Sequence, residues 1–188
     1  MNIGINREQA VDLLHKHIKN PNMIKHCIAT EAVMRSLAIH FNDDQEKWGM
    51  AGLLHDLDVE ITHADLKIHG QETVKMLKDL NVDEEIIDVI ELHNENSCSR
   101  KRETIFAHAL AAGETITGLI TATTLVYPDK KLSSVKPKSV IKRMKEKNFA
   151  ASVDREIIRE CEVIGIPLDQ FVDICLNAMR SVSDELGL

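Results

Sequence analysis

Nine of the 188 residues are histidine, and several stand near carboxylates in a way that suits metal-ion chemistry. His55-Asp56 follows the small apolar run Ala51-Gly52-Leu53-Leu54 and precedes Leu57 and a second acid, Asp58. An imidazole nitrogen beside a carboxylate oxygen suits a divalent transition metal, and a carboxylate can bridge two ions. Taken alone, the doublet also fits a helix C-terminus with a favourably placed histidine. His26 shares a helical stripe with Thr30, Val33 and Leu37, so it belongs to a face due for burial. A lone histidine there reads as a core residue bonded to a backbone carbonyl. His69 precedes Gly70, and His93 closes an apolar run through Ile86, Ile87, Val89, Ile90 and Leu92. Glu114 follows Ala109-Leu110-Ala111-Ala112-Gly113; a carboxylate buried there needs a cation, a donor or a metal. Each residue has a structural reading, but together the set points to a metal site. His15, His17 and His40 lie near helix ends or on mixed faces and read as surface residues.

Helices must position these groups, because apolar residues recur at helical spacing along nearly the whole chain. Asn6 caps a first helix to about Lys19, stopped by Asn20-Pro21, and Asn22 caps a second to about Phe41. Asn42-Asp43 starts a third, through Trp48 into Leu54; residues 59–67 look irregular. Helices follow from about His69 to Leu80 and from Asp83 to His93, the latter with Asp83-Glu84-Glu85 at its start, where the dipole favours acid. After a polar loop, Asn94 to Lys101, a long helix runs from about Glu103 to Val126 and ends at Tyr127-Pro128. Its five threonines between Thr115 and Thr124 would also suit a strand, yet Leu110, Glu114, Thr117 and Thr121 keep helical spacing. Shorter helices are expected at about Lys138–Lys147, Asp154–Ile164 and Leu168–Glu185.

The expected fold is therefore all-α and a single domain over residues 1–188. Its core covers about 20–127, with C-terminal helices at about 137–186 packed on it; no repeat or Gly/Ser linker marks a boundary. Hydrophobic residues make up 44% and aromatics 3%, so the core must be aliphatic. The net charge of −7 argues against general nucleic-acid or membrane-surface binding. No wholly apolar run approaches the roughly 18 residues that span a bilayer, and Met1 to Ala10 lacks a signal-type apolar stretch. The expected location is the cytoplasm. There the dispersed Cys27, Cys98, Cys161 and Cys175 read as small apolar residues. The sequence leaves the oligomeric state open.

The order His26, His55-Asp56, His69, His93, Glu114 resembles the HD superfamily of metal-dependent phosphohydrolases, in its small single-domain branch. The local runs "HCIATEAVMRSLA", "WGMAGLLHDLDVE", "KIHG", "ELHN" and "GETITGLITATTLVYP" look like that branch's motifs, as does "KPKSVIKRMKEKNFA" from Lys136 to Ala150. The resemblance implies that His26, His55, Asp56 and Glu114 hold one metal. It further implies that Asp56 bridges to a second ion with His69 and His93 as ligands. The family's last ligand is usually Asp; Glu114 is one methylene longer.

The implied cofactor is one or two divalent transition-metal ions, with Mn, Fe, Co, Ni and Zn all compatible with these donors. A carboxylate-bridged pair acidifies bound water to hydroxide and polarises a phosphoryl oxygen. The expected activity is thus hydrolysis of a small phosphorylated molecule, with a nucleotide as the leading candidate. Asp56 would serve at the reacting centre, and Asp58 and His63 would relay protons or orient a ligand. A basic segment from Lys130 to Lys147 offers Lys138, Lys142 and Lys145 on one helical face to hold substrate phosphate; the same face would also suit plain solvation. Arg100-Lys101-Arg102 forms a second basic run just after His93. Two other readings stay open: a non-catalytic metal-binding or ligand-sensing domain, and a di-iron oxidative site.

Overall fold

A computed structural model describes residues 3–188, and every element among them is helical. Met1 and Asn2, where the expected domain range begins, lie outside the described residues. In chain order the helices are α1 (Arg7–His17), α2 (Pro21–Phe41), α3 (Gln45–Leu54), α4 (Gln71–Asp79) and α5 (Glu84–His93). They continue with α6 (Ile105–Leu125), α7 (Pro137–Met144), α8 (Arg155–Val163), α9 (Leu168–Ser181) and α10 (Ser183–Leu186).

Local chemistry sets most of the boundaries. Asn6 and Gln9 form a reciprocal capping box at α1. The second helix begins earlier than its sequence suggests. Asn20, rather than Asn22, caps it and accepts from the Asn22 N–H, while Pro21 takes the first helical position, where its missing N–H costs nothing. Asn42 belongs to the end of α2 in a left-handed conformation, and Asp44 caps α3. Asp83 and Asp154 cap α5 and α8. The threonine-rich stretch is helical because its hydroxyls turn back onto their own helix, Thr123 onto the Leu119 carbonyl and Thr124 onto that of Ile120.

The 21-residue helices α2 and α6 form the centre. α3 and α9 also pack on α2, while α5, α7, α8 and α9 pack on α6. By length and composition α6 alone among the described residues could cross a bilayer, although no uninterrupted apolar run suggests it. Here Leu110, Ala112, Ile116 and Ile120 are fully buried against neighbouring helices, so its apolarity serves the protein core. The two helices carrying His26 and the His55-Asp56 doublet approach backbone to backbone. A Cβ on Gly52 would sit 2.7 Å from the Thr30 carbonyl oxygen, so only glycine permits this contact. One turn before Gly52 on α3, Trp48 is buried and stacks on Phe106 with ring centroids 4.7 Å apart; its indole N–H meets no acceptor.

Candidate metal centre

Five segments deliver donors to one place. His26 projects from the first turns of α2, and His55-Asp56 follows the last turn of α3. His69 stands in the turn before α4, His93 ends α5, and Glu114 lies midway along α6. Two sets result: His26, His55 and Glu114, and Asp56, His69 and His93, each with its ligand atoms within 4.8 Å of one another.

Asp56 lies between the sets and divides its oxygens. Its Oδ2 is 3.5 Å from His26 Nε2 and 3.4 Å from His55 Nε2; its Oδ1 is 2.9 Å from His69 Nε2 and 3.6 Å from His93 Nε2. Glu114 Oε2 is 3.8 Å from His26 Nε2. Within each set two ring nitrogens stand close, His26 Nε2 to His55 Nε2 at 3.1 Å and His69 Nε2 to His93 Nε2 at 3.1 Å. Two nitrogens bound to one ion at ordinary metal–nitrogen lengths are separated by about 3.0 Å in octahedral and about 3.4 Å in tetrahedral geometry, so this spacing fits.

The other nitrogen of every ring is engaged. His55 Nδ1 donates to the Gly52 carbonyl at 2.9 Å and His93 Nδ1 to the Ile90 carbonyl. His26 Nδ1 donates to Thr117 Oγ1 at 2.9 Å; that hydroxyl's own proton goes to the Glu114 carbonyl, leaving its oxygen to accept. His69 Nδ1 meets Asp58 Oδ1 at 2.8 Å. With Nδ1 engaged as donor, each Nε2 faces the centre, the arrangement by which neighbouring groups orient metal-binding imidazoles; that of His69 lies 2.9 Å from Asp56 Oδ1. Asp58 itself is held by the backbone N–H groups of Gly70, Glu72 and Thr73 at the start of α4.

The electrostatics expect added positive charge. Burial holds the His26 imidazole down to about 4, more than Asp56 offsets, and burial lowers His93 as well. Burial opposes the charge on Asp56, but His55, His69 and His93 outweigh it and keep this carboxylate well below its usual range. Burial likewise opposes charge on His69, yet Asp56 and Asp58 raise it to about 10. Burial lifts Glu114 to about 7, with His55 and the Thr115 hydroxyl bonded to it pulling the other way. Two divalent ions would replace the His69 proton and hold Glu114 ionised. The donor set therefore fits one or two divalent transition metals.

The centre opens into a cleft of about 670 Å³. The structure does not bring His63 into it: the residue is exposed, in a left-handed turn with φ 51°. Lys138, Lys142 and Lys145 are exposed and absent from its lining. Their helix packs near the C-terminal end of α6, where Lys142 and Arg143 share a separate hollow with Thr123 and Val126. At the helical rise this is about 18 Å along α6 from Glu114. The basic residues that line the cleft are Lys101 and Arg102. Sequence reasoning missed Thr117, the Gly52 and Ile90 carbonyls, and a partly buried cluster behind His93. There Arg102 makes paired bonds to Glu160 at 2.8 and 2.6 Å, and His108 joins the same carboxylate at 2.7 Å. Thr117 had a signal in its i+3 spacing from Glu114, whereas carbonyl partners leave none.

Comparison with known proteins agrees with this geometry. The HD domain model matches residues 23–117, half of the chain. Ribonuclease Y of Lawsonia intracellularis (strain PHE/MN1-00) is 30% identical over 97 residues, covering 52% of this chain and 18% of that relative. The chain thus spans less than a fifth of that relative's length. No solved structure matches. The matched segment contains His26, His55, Asp56, His69, His93 and Glu114, the residues that meet at the centre, and the chain belongs to the HD domain family, whose members include metal-dependent phosphohydrolases.

Proposed function

We propose that the protein is a metal-dependent phosphohydrolase acting on a small phosphorylated molecule. The observation that carries this reading is the division of Asp56, one oxygen toward His26 and His55 and the other toward His69 and His93. A divalent pair held by those residues with Glu114 would acidify water and offset charge on a phosphoryl group. The chain's own part is to keep Nε2 of each histidine aimed inward, through Thr117, Asp58 and two backbone carbonyls, and to shield the centre within a cleft open on one side. Asp58 acts by orienting His69; its carboxylate accepts from His69 and from the N–H groups of Gly70, Glu72 and Thr73 and does not line the cleft. Ribonuclease Y is by name an enzyme acting on RNA, so phosphodiesters belong among the candidate substrates beside nucleotides and other monoesters.

A second reading, a metal-binding or ligand-sensing domain without catalysis, draws on Glu114, whose carboxylate is raised to about 7 and bonded to Thr115. One experiment separates the two. Metals per chain are measured by plasma mass spectrometry on untagged protein, and the loaded protein is screened on phosphomonoesters and phosphodiesters beside Asp56→Ala and Glu114→Asp. About two ions per chain and hydrolysis lost in Asp56→Ala support the enzyme. Full metal with no hydrolysis, even in Glu114→Asp, supports the binding domain. No metal after soaking in manganese, iron or zinc would overturn both.

A further inference from the structure

The cleft above the metal centre has two distinct regions. Its floor is polar, made of five of the six donors, His26, Asp56, His69, His93 and Glu114, with His55 buried beneath them. Its walls hold Met23, Val59, Leu66, Val153 and Ile157, contributed by α2, the turns after α3 and the region of α8. Leu66 is 57% exposed, a large apolar side chain turned to solvent at the mouth. Ile61 and Ile68, also exposed, flank it in the same turns.

The charge at the mouth is equally informative. Apart from histidines, the basic residues lining the cleft are Lys101 and Arg102. Arg102 is spent: its guanidinium donates to both oxygens of Glu160 and to the Leu92 and His93 carbonyls. Lys101 is paired with Glu95 at 2.6 Å. Two acids, Glu95 and Asp154, also line the cleft. A ligand reaching outward from the centre thus meets apolar carbon, the neutral side chains of Asn94, Asn96, Thr115 and Ser152, and negative charge, and each cation among the described lining residues already has a carboxylate partner. An extra phosphate would lose hydration, face Glu95 and Asp154, and find no counter-ion not already paired with a carboxylate, whereas a methylene would gain from burial.

We infer that this centre takes a ligand with a single phosphoryl group on an uncharged, partly apolar body, in preference to a polyphosphate or a nucleic-acid strand. The inference rests on the metal–phosphate reading above and narrows its substrate class.

Its test uses ligands that cannot be hydrolysed. Manganese-loaded full-length protein is titrated by calorimetry with methylphosphonate, hexylphosphonate and hexane-1,6-bisphosphonate, the last having the same body with a second charged end. Metal content is checked before and after. Hexylphosphonate should bind about tenfold or more tighter than methylphosphonate, since each buried methylene contributes up to about fourfold. It should exceed the bisphosphonate by a similar factor. Leu66→Ser, at an exposed turn position that leaves the fold intact, should remove several-fold of the hexyl gain and leave methylphosphonate unchanged. Equal affinity for the methyl and hexyl compounds, or tighter binding of the bisphosphonate, would overturn the inference while leaving the metal–phosphate reading in place. Manganese retained with no binding of methylphosphonate would overturn both.

Discussion

At the scale of single residues, the centre depends on side chains outside the six donors as well as on the donors themselves. Thr117 is fully buried and fixes His26 by accepting from its Nδ1. Thr117→Val keeps the volume and removes the acceptor, so metal affinity should fall about 10- to 100-fold with the fold retained; metal-buffered titration beside circular dichroism measures both. His69 supplies a pH dependence. In the metal-free protein its pKa is raised from 6.5 to about 10, burial opposing and Asp56 and Asp58 prevailing. Its protonated form therefore stabilises the metal-free fold fully below pH 6.5, and that contribution is lost as pH rises through 10. A metal ion competes with the same proton for Nε2, so affinity should rise with pH across this window. Calorimetry at pH 7.5 in two buffers of different ionisation enthalpy should show proton release on binding, and buffer-independent heats would contradict it. The residues that meet at the centre were legible in the sequence because His55-Asp56 and the isolated Glu114 are chemically conspicuous in apolar surroundings. His63 and the α7 lysines were conspicuous too, but a residue's type and spacing do not say which end of a long helix its neighbours reach.

At the scale of helices, the decisive contact is the crossing of α2 and α3 at Gly52. A methyl group there collides with the Thr30 backbone, which lies one turn from His26. Gly52→Ala should cost about 1–3 kcal/mol in denaturant unfolding and should also weaken metal binding, because His26 and His55 would separate. A variant with unchanged stability would show that the helices can part freely. Helix positions could be read from periodicity and caps, since Asn6, Asp83 and Asp154 act locally. Misplaced boundaries came where two signals compete. At Asn20-Pro21-Asn22 the proline reads as a stop and also suits a helix start; in the fold Asn20 caps the helix while the Glu60 carboxylate, 40 residues on, accepts from the Lys19 and Asn20 N–H groups.

At the scale of the whole molecule, the donors come from segments otherwise joined only through the core, so bound metal should act as a cross-link between α2, α3, α5 and α6. Chelation should lower the melting temperature by about 5–10 °C relative to protein with free metal a hundredfold above Kd. Differential scanning calorimetry with and without chelator tests this, and coincident curves would mean the centre carries no folding energy. The C-terminal helices give the cleft its second wall through Val153 and Ile157, a role no motif in that region announces. Trp48 adds a practical consequence. It is the chain's lone tryptophan, it sits on the helix that ends at His55-Asp56, and its indole is shielded from water with its N–H unpaired. Its fluorescence should therefore emit at short wavelength and resist acrylamide quenching. A red shift on chelation would report loosening of α3 directly, giving an intrinsic optical gauge of the centre that requires no label and disturbs no ligand.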